Sequence, residues 1–317
     1  MLRYGTTSFN DMYMRMDMEA EAVRDSGMRA LLGHGVVDFD ESCSDLLPNI
    51  ALIEKWNHAA DDRIRVALAP HSEGATTQMV MEKIRDAAET YKVPVHVHVS
   101  ETRLDYEGSI ERRGLTPPQY LDKLGLLEYP VLAAHCVWFT DEDIELFARK
   151  GAVILHNPVS NLKLASGIAP IQKMMHMEIP VAIGTDGPAS NNCLDMFREM
   201  FLVTGLQKAV CNDATAVPAF EVLKMATVNG AKAMGLDDCD ILAEGKYADL
   251  IMIDMQKPNM HPVFDSAIGK NLVYSGSKDN VKMVMIDGKI RYEDGNFFIG
   301  EDVSRVYSEV EKIVKRG

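Results

Sequence analysis

Between residues 4 and 185 the chain alternates short apolar, β-branched runs with amphipathic stretches, and this alternation limits the fold more than any other feature. The apolar runs fall at Tyr4–Tyr13, Met28–Val36, Ile64–Pro70, Val93–Val99, Val131–Ala134, Ala152–His156 and Pro180–Thr185, each followed by a helix-like segment. Repeated strand-helix units of this kind build a parallel sheet covered by helices. The predicted class is therefore α/β, and with 317 residues a barrel of about 250 residues plus an appendage fits the length.

Helix starts are legible where short polar side chains precede apolar periodicity. Thr140 with Asp143 forms a capping-box pattern, and Thr76 with Thr77 opens the periodic run to Ala88. Two further helices are predicted at about Cys193–Ala209 and Pro218–Met234. From Ile241 the texture changes to short strands at Asp249–Ile253, Asn271–Tyr274, Val281–Ile286 and Lys289–Tyr292, with Asp287-Gly288 as a hairpin signal. A last amphipathic helix covers about Val303–Lys315. The predicted division is a barrel over 1–240, a small β subdomain over 241–300 and a C-terminal helix over 301–317.

Chemistry in a parallel barrel sits at the carboxyl ends of the strands. Here those ends carry His71, then His96-Val97-His98 with Ser100 and Glu101, then His135-Cys136, His156-Asn157 and Thr185-Asp186. One strand-end histidine is usually structural, but five strand ends bearing His or Asp on one rim form the kind of donor set that metal hydrolases use. Period-two alternation puts His96 on the face of His98 but one layer deeper, which suits packing or support. His58, His176 and His261 lie outside this rim and read as structural.

Charge and cysteine content exclude other classes. A formal charge of −14 repels polyanions, so nucleic acid is not an expected partner. The five cysteines are scattered without a Cys-x-x-Cys pair, which suits a reducing cytoplasm. No apolar stretch of about 18 residues and no secretory h-region is present, so no membrane span or export is expected.

The motifs resemble a known family. HVSET at His98–Thr102, AAHC at Ala133–Cys136, HNPVSNLKLASG at His156–Gly167 and GTDGPASNN at Gly184–Asn192 are similar to the amidohydrolase superfamily, specifically its 5-methylthioadenosine/S-adenosylhomocysteine deaminases. ATVNGAKAMG at Ala226–Gly235 and EGKYADLIMID at Glu244–Asp254 resemble the superfamily signatures that end the barrel and begin a composite β-sandwich. The resemblance implies a TIM-type barrel and a divalent metal, zinc first, with iron, manganese or nickel as alternatives, held by His98 and Asp186. It further implies catalytic roles for Glu101, His135 and Asp186, and substrate contacts from His71, Glu101, Ser190 and His34. The implied reaction is hydrolytic deamination of an adenine nucleoside to an inosine-type product, with a homo-oligomer compatible.

Two departures matter. The superfamily's first-strand His-x-His has no counterpart before His96, so counting back from Asp186 makes Tyr4–Tyr13 the second strand, with the first strand-helix unit absent from the sequence. His34 stands where the family's motif usually has a substrate-contacting arginine, and Asp38–Asp45 contains none either. The alternatives are a related hydrolase acting on guanine, cytosine or a chlorinated triazine, and a non-catalytic fragment or one half of a split enzyme.

Overall fold

The computed structural model describes residues 1–315; the last two positions of the expected 301–317 segment lie outside the described residues. Eight strand segments lie in chain order: β1 Ser8–Tyr13, β2 Arg29–Val36, β3 Ile64–Val66, β4 Ala69–Pro70, β5 Val95–Val99, β6 Val131–His135, β7 Val153–His156 and β8 Val181–Ile183. All their pairings are parallel. β2 lies between β1 on one side and β3 and β4 on the other, while β5, β6, β7 and β8 follow in order. Single parallel bridges, Leu68 to Val95 and Ser72 to His98, join the two halves. β3 and β4 are thus two pieces of one strand, and their ladder continues into β5. Among the described residues β1 pairs only with β2 and β8 only with β7.

Side-chain alternation decides what each strand faces. Val95, Val97 and Val99 of β5, each 1% exposed, pack into the core between sheet and helices, which turns His96 and His98 to the opposite face. A smaller cluster of Leu31, Ala67, Leu132, Ala231, Met234 and Leu236 fills the inner face. The helices begin where the capping residues predict. Thr77 accepts from the Val80 amide, and Thr140 and Asp143 form the complete reciprocal box. The same box recurs at Thr102 with Asp105, at the start of the Arg103–Arg113 helix.

β9 Leu250–Ile253, β10 Val281–Ile286, β11 Lys289–Glu293 and β12 Asn296–Phe297 make an antiparallel sheet in the order β12-β11-β10-β9. Asp287 and Gly288 join β10 to β11 with φ of 54° and 69°, the left-handed pair a tight hairpin requires. This sheet is tied to the parallel one by Arg29, whose Nε donates to Asp249 at 2.6 Å with both side chains at most 2% exposed. The Val303–Val314 helix follows, and no described helix is long and apolar enough to cross a membrane.

Three expectations need correction. The expected strand Asn271–Tyr274 is the end of a helix, Ile268–Tyr274. Val273 is fully buried in the main core, and the Asn271 amide donates to the Met260 and Pro262 carbonyls. A run that short gives no period to separate helix from strand. The Tyr4–Tyr13 strand starts only at Ser8, after a tight turn over Leu2–Tyr4. The single helix expected over Pro218–Met234 is two, Ala219–Ala226 and Val228–Ala233. They are broken at Thr227, whose φ and ψ of −130° and −91° cannot continue a helix.

Candidate active site

Strand β5 sets the inner end of a cleft lined by His71, Ser72, Glu73, His98, Ser100, Glu101 and Asp105. His98 projects inward, and its Nδ1 lies 2.7 Å from the backbone carbonyl of His71. A carbonyl only accepts, so Nδ1 carries the proton and Nε2 keeps its lone pair. The His71 ring stacks at a tilt 4.7 Å from His98, and His135 stands 5.4 Å away on the other side. His96 lies deeper, 5.9 Å from His98, buried and with Nδ1 unpartnered.

His135 is aimed by strain. Leu132 faces the inner cluster while Val131 and Ala133 face the helix-side core, so plain alternation would put His135 with the latter. Instead His135 adopts φ 72° in a tight three-residue turn closed by the Cys136 amide on the Ala134 carbonyl at 3.1 Å, and its ring enters the site. Ser100, Cys136 and Asp186 also have left-handed φ values of 47°, 50° and 59°. Such conformations cost about 1–3 kcal/mol each for non-glycine residues, and clusters of them mark sites where geometry is imposed by the surroundings.

A single segment braces these groups. The Pro158–Lys163 helix and its following turn supply Ser160, which donates to Asp186 Oδ2 at 2.6 Å, Asn161, whose Oδ1 is 2.8 Å from His135 Nδ1, and Ser166, which donates to Glu101 Oε1 at 3.2 Å. Glu101 Oε2 lies 3.8 Å from His135 Nε2, close but not hydrogen-bonded. The other Asp186 oxygen accepts the Gly187 amide at 2.5 Å. On the far wall, Arg113 reaches Glu73 at 3.2 Å and donates to its carbonyl at 2.9 Å, fastening the loop that carries His71.

Burial shapes the protonation of the histidines. Loss of water lowers the pKa of His98 well below 6.5, and neighbouring His135, His96 and His71 add to the effect. His96 falls to about 4 and His156 to about 3, burial being the first cause in both. His71 is lowered by burial against the opposing pull of Glu101 and Asp105. These imidazoles are therefore neutral at pH 7, the form that donates a lone pair to a metal.

His71, His98, His135 and Glu101 thus come together as the strand-end pattern predicts. Asp186 stands on the same rim, close enough to act on His96 and on Asp11 of β1. Ser190 lies on the short Pro188–Asn191 helix after Asp186, its amide bonded to the Gly187 carbonyl. His34 shares the strand face of Leu32, which packs in the helix-side core, and its charged neighbours are Asp17 and Asp45. The cleft itself is lined by His71, His98 and Glu101 of the predicted site residues, while His135, Asp186, Ser190 and His34 are not among its lining residues. Ser160, Asn161, Ser166 and the Glu73–Arg113 pair carry no strand-end signal; the only sequence clue to the first three is their place inside the HNPVSNLKLASG stretch.

His98 and Asp186 are the candidate metal donors. His98 offers Nε2 and Asp186 a carboxylate, but no cluster of three or more His, Cys, Asp or Glu suited to a metal occurs among the described residues. Catalytic zinc ordinarily takes three protein ligands and water.

Parallel strands flanked by helices, with histidines and acids gathered at their carboxyl ends, mark an α/β hydrolase. The sequence matches the amidohydrolase family over residues 1–291, and the chain belongs to that family. It is 44% identical over 92% of its length to the 5-methylthioadenosine/S-adenosylhomocysteine deaminase of Dictyoglomus thermophilum, covering 68% of that protein. It is 40% identical over 95% of its length to the 5'-deoxyadenosine deaminase of Methanothermobacter thermautotrophicus, covering 71% of it. The fold is similar to an adenosine deaminase from Xanthomonas campestris solved with bound zinc, with a TM-score of 0.92, 33% identity, and coverage of 99% of this chain and 72% of that one.

Proposed function

We propose that this protein is a hydrolytic deaminase of adenine nucleosides with a modified 5' position, replacing the C6 amino group by oxygen from water and releasing ammonia. The observation that carries this is the agreement in chemistry between relatives at 40–44% identity, each covering more than nine-tenths of this chain. The geometry supports it. Glu101 stands at the cleft beside His135 at 3.8 Å, where it can give a proton to the adenine ring nitrogen as water adds at C6. Asp186, oriented by Ser160 and the Gly187 amide, takes the proton from the attacking water. His135 hydrogen-bonds that water through Nε2, and His71 contacts the nucleoside from the mouth of the cleft. Ser190 and His34 remain proposed substrate contacts from the family resemblance alone.

His98 and Asp186 are the metal donors this chain offers, and zinc is the metal that suits an imidazole-carboxylate pair in this family. The edges of β1 and β8 that pair with no further strand among the described residues would flank the place of the barrel's first strand, which carries the His-x-His pair in the family. With two donors, zinc is held below one equivalent per chain; full occupancy after dialysis, measured by elemental analysis, contradicts the two-donor assignment. A panel of adenine nucleosides, guanine, cytosine and a chlorotriazine, assayed for ammonia and chloride with added zinc, tests the substrate class. Selective ammonia release from the adenine nucleosides is expected, and turnover confined to the other compounds refutes it.

A further inference from the structure

We infer that the Pro158–Lys163 helix and the turn after it form a positioning element for the reacting groups, in which Asn161 sets the tautomer of His135. Through Ser160, Asn161 and Ser166 this one segment touches Asp186, His135 and Glu101, which come from the ends of three different strands. The three side chains are at most 3% exposed. The segment is itself locked. The Val159 amide donates to Glu199 at 3.0 Å, the Ser166 amide to the Asn161 carbonyl at 2.8 Å, and the Trp138 indole to the Ser166 carbonyl at 2.8 Å. The turn closes at Gly167, with φ of 128° and a Cβ position only 2.8 Å from Val137 Cγ1, where no other residue fits without a shift.

Asn161 meets His135 through its carbonyl oxygen, which can only accept, so the proton sits on Nδ1 and Nε2 is left open. Nε2 lies 3.8 Å from Glu101, which lines the cleft, beyond hydrogen-bond reach and with no other partner taking it among the described residues. In the other tautomer Nε2–H would draw the Glu101 carboxylate onto itself, and both groups would be lost to a substrate. The Asn161 NH2 is buried without a partner.

The role rests on the hydrolytic reading of the site, yet its test does not need turnover. The metal-free full chain is labelled with 15N-histidine, and two-bond proton-nitrogen spectra distinguish the tautomers, with His135 assigned by the signals lost in H135Q. Wild type is expected to show His135 protonated on Nδ1. N161L, of similar volume but without an acceptor, is expected to shift the tautomer ratio about tenfold toward Nε2–H, the scale of one lost hydrogen bond. N161D, which keeps the acceptor and the shape, is expected to retain Nδ1–H and covers the case in which N161L does not fold. An Nε2–H tautomer in wild type or in N161D, or identical His135 spectra in wild type and N161L, overturns the inference. Failure to deaminate any nucleoside would refute the proposed activity while leaving this result standing.

Discussion

The Nδ1 of His98 is held at 2.7 Å by the backbone carbonyl of His71, so the imidazole that faces the cleft with Nε2 is oriented by main chain and not by a side chain. A partner that fixes the far nitrogen of a ligating histidine commonly changes metal affinity by 10–100-fold. His71→Ala keeps that carbonyl. Zinc affinity, measured by competition with a chelating dye, is expected to stay within about threefold in His71→Ala and to fall at least about tenfold in His98→Ala. Equal losses in the two variants would show that the His71 ring, not its carbonyl, supports the donor.

Acid stability follows from the buried histidines. His156 has a folded pKa of about 3 and His96 of about 4, each pushed down by burial from 6.5. As pH falls below 6.5 the unfolded chain takes up protons that the folded chain refuses, so stability is full above 6.5 and is lost as pH drops toward 4. Between pH 6.5 and 5 each residue accounts for up to about 2 kcal/mol. Urea midpoints should fall over that interval, and His156→Leu should flatten the slope. A midpoint unchanged from pH 7 to pH 5 would show that these rings are not held neutral.

Arg29 and Asp249 join the parallel sheet to the C-terminal one through a bidentate pair, 2.6 and 3.2 Å, with the Asp287 amide also donating to Asp249 at 2.8 Å. Removing Asp249 leaves the buried Arg29 guanidinium with only the partly exposed Asp287 carboxylate at 3.7 Å, and breaking a buried pair costs about 3–5 kcal/mol. Asp249→Ala is expected to lower unfolding free energy by that amount in urea titration. A loss below about 1 kcal/mol would show that water reaches Arg29 freely.

Much of this architecture is legible in the residues. Alternating valines in Val95–Val99 announce both a strand and the inward course of His96 and His98, because a strand's faces repeat every two residues. His135 shows where that rule stops. Its side chain reaches the site only because the backbone turns left-handed at φ 72°, and nothing in Ala-Ala-His-Cys signals that turn. His34 shows a different limit, since a family position gives no strand register, and its charged neighbours are Asp17 and Asp45. Asn271–Tyr274 was too short for periodicity to separate strand from helix. The bracing by Ser160, Asn161 and Ser166 depends on tertiary contacts across 26 to 65 positions, which local pattern does not encode.

The most direct measurement is ammonia release by the purified chain, in zinc-supplemented buffer, from 5'-methylthioadenosine, 5'-deoxyadenosine and S-adenosylhomocysteine, with the product identified by mass. The proposed activity predicts ammonia and an inosine-type product from at least one of the three, reduced about 100-fold or more in Glu101→Gln. Ammonia from none of them, or an undiminished rate in Glu101→Gln, would contradict it.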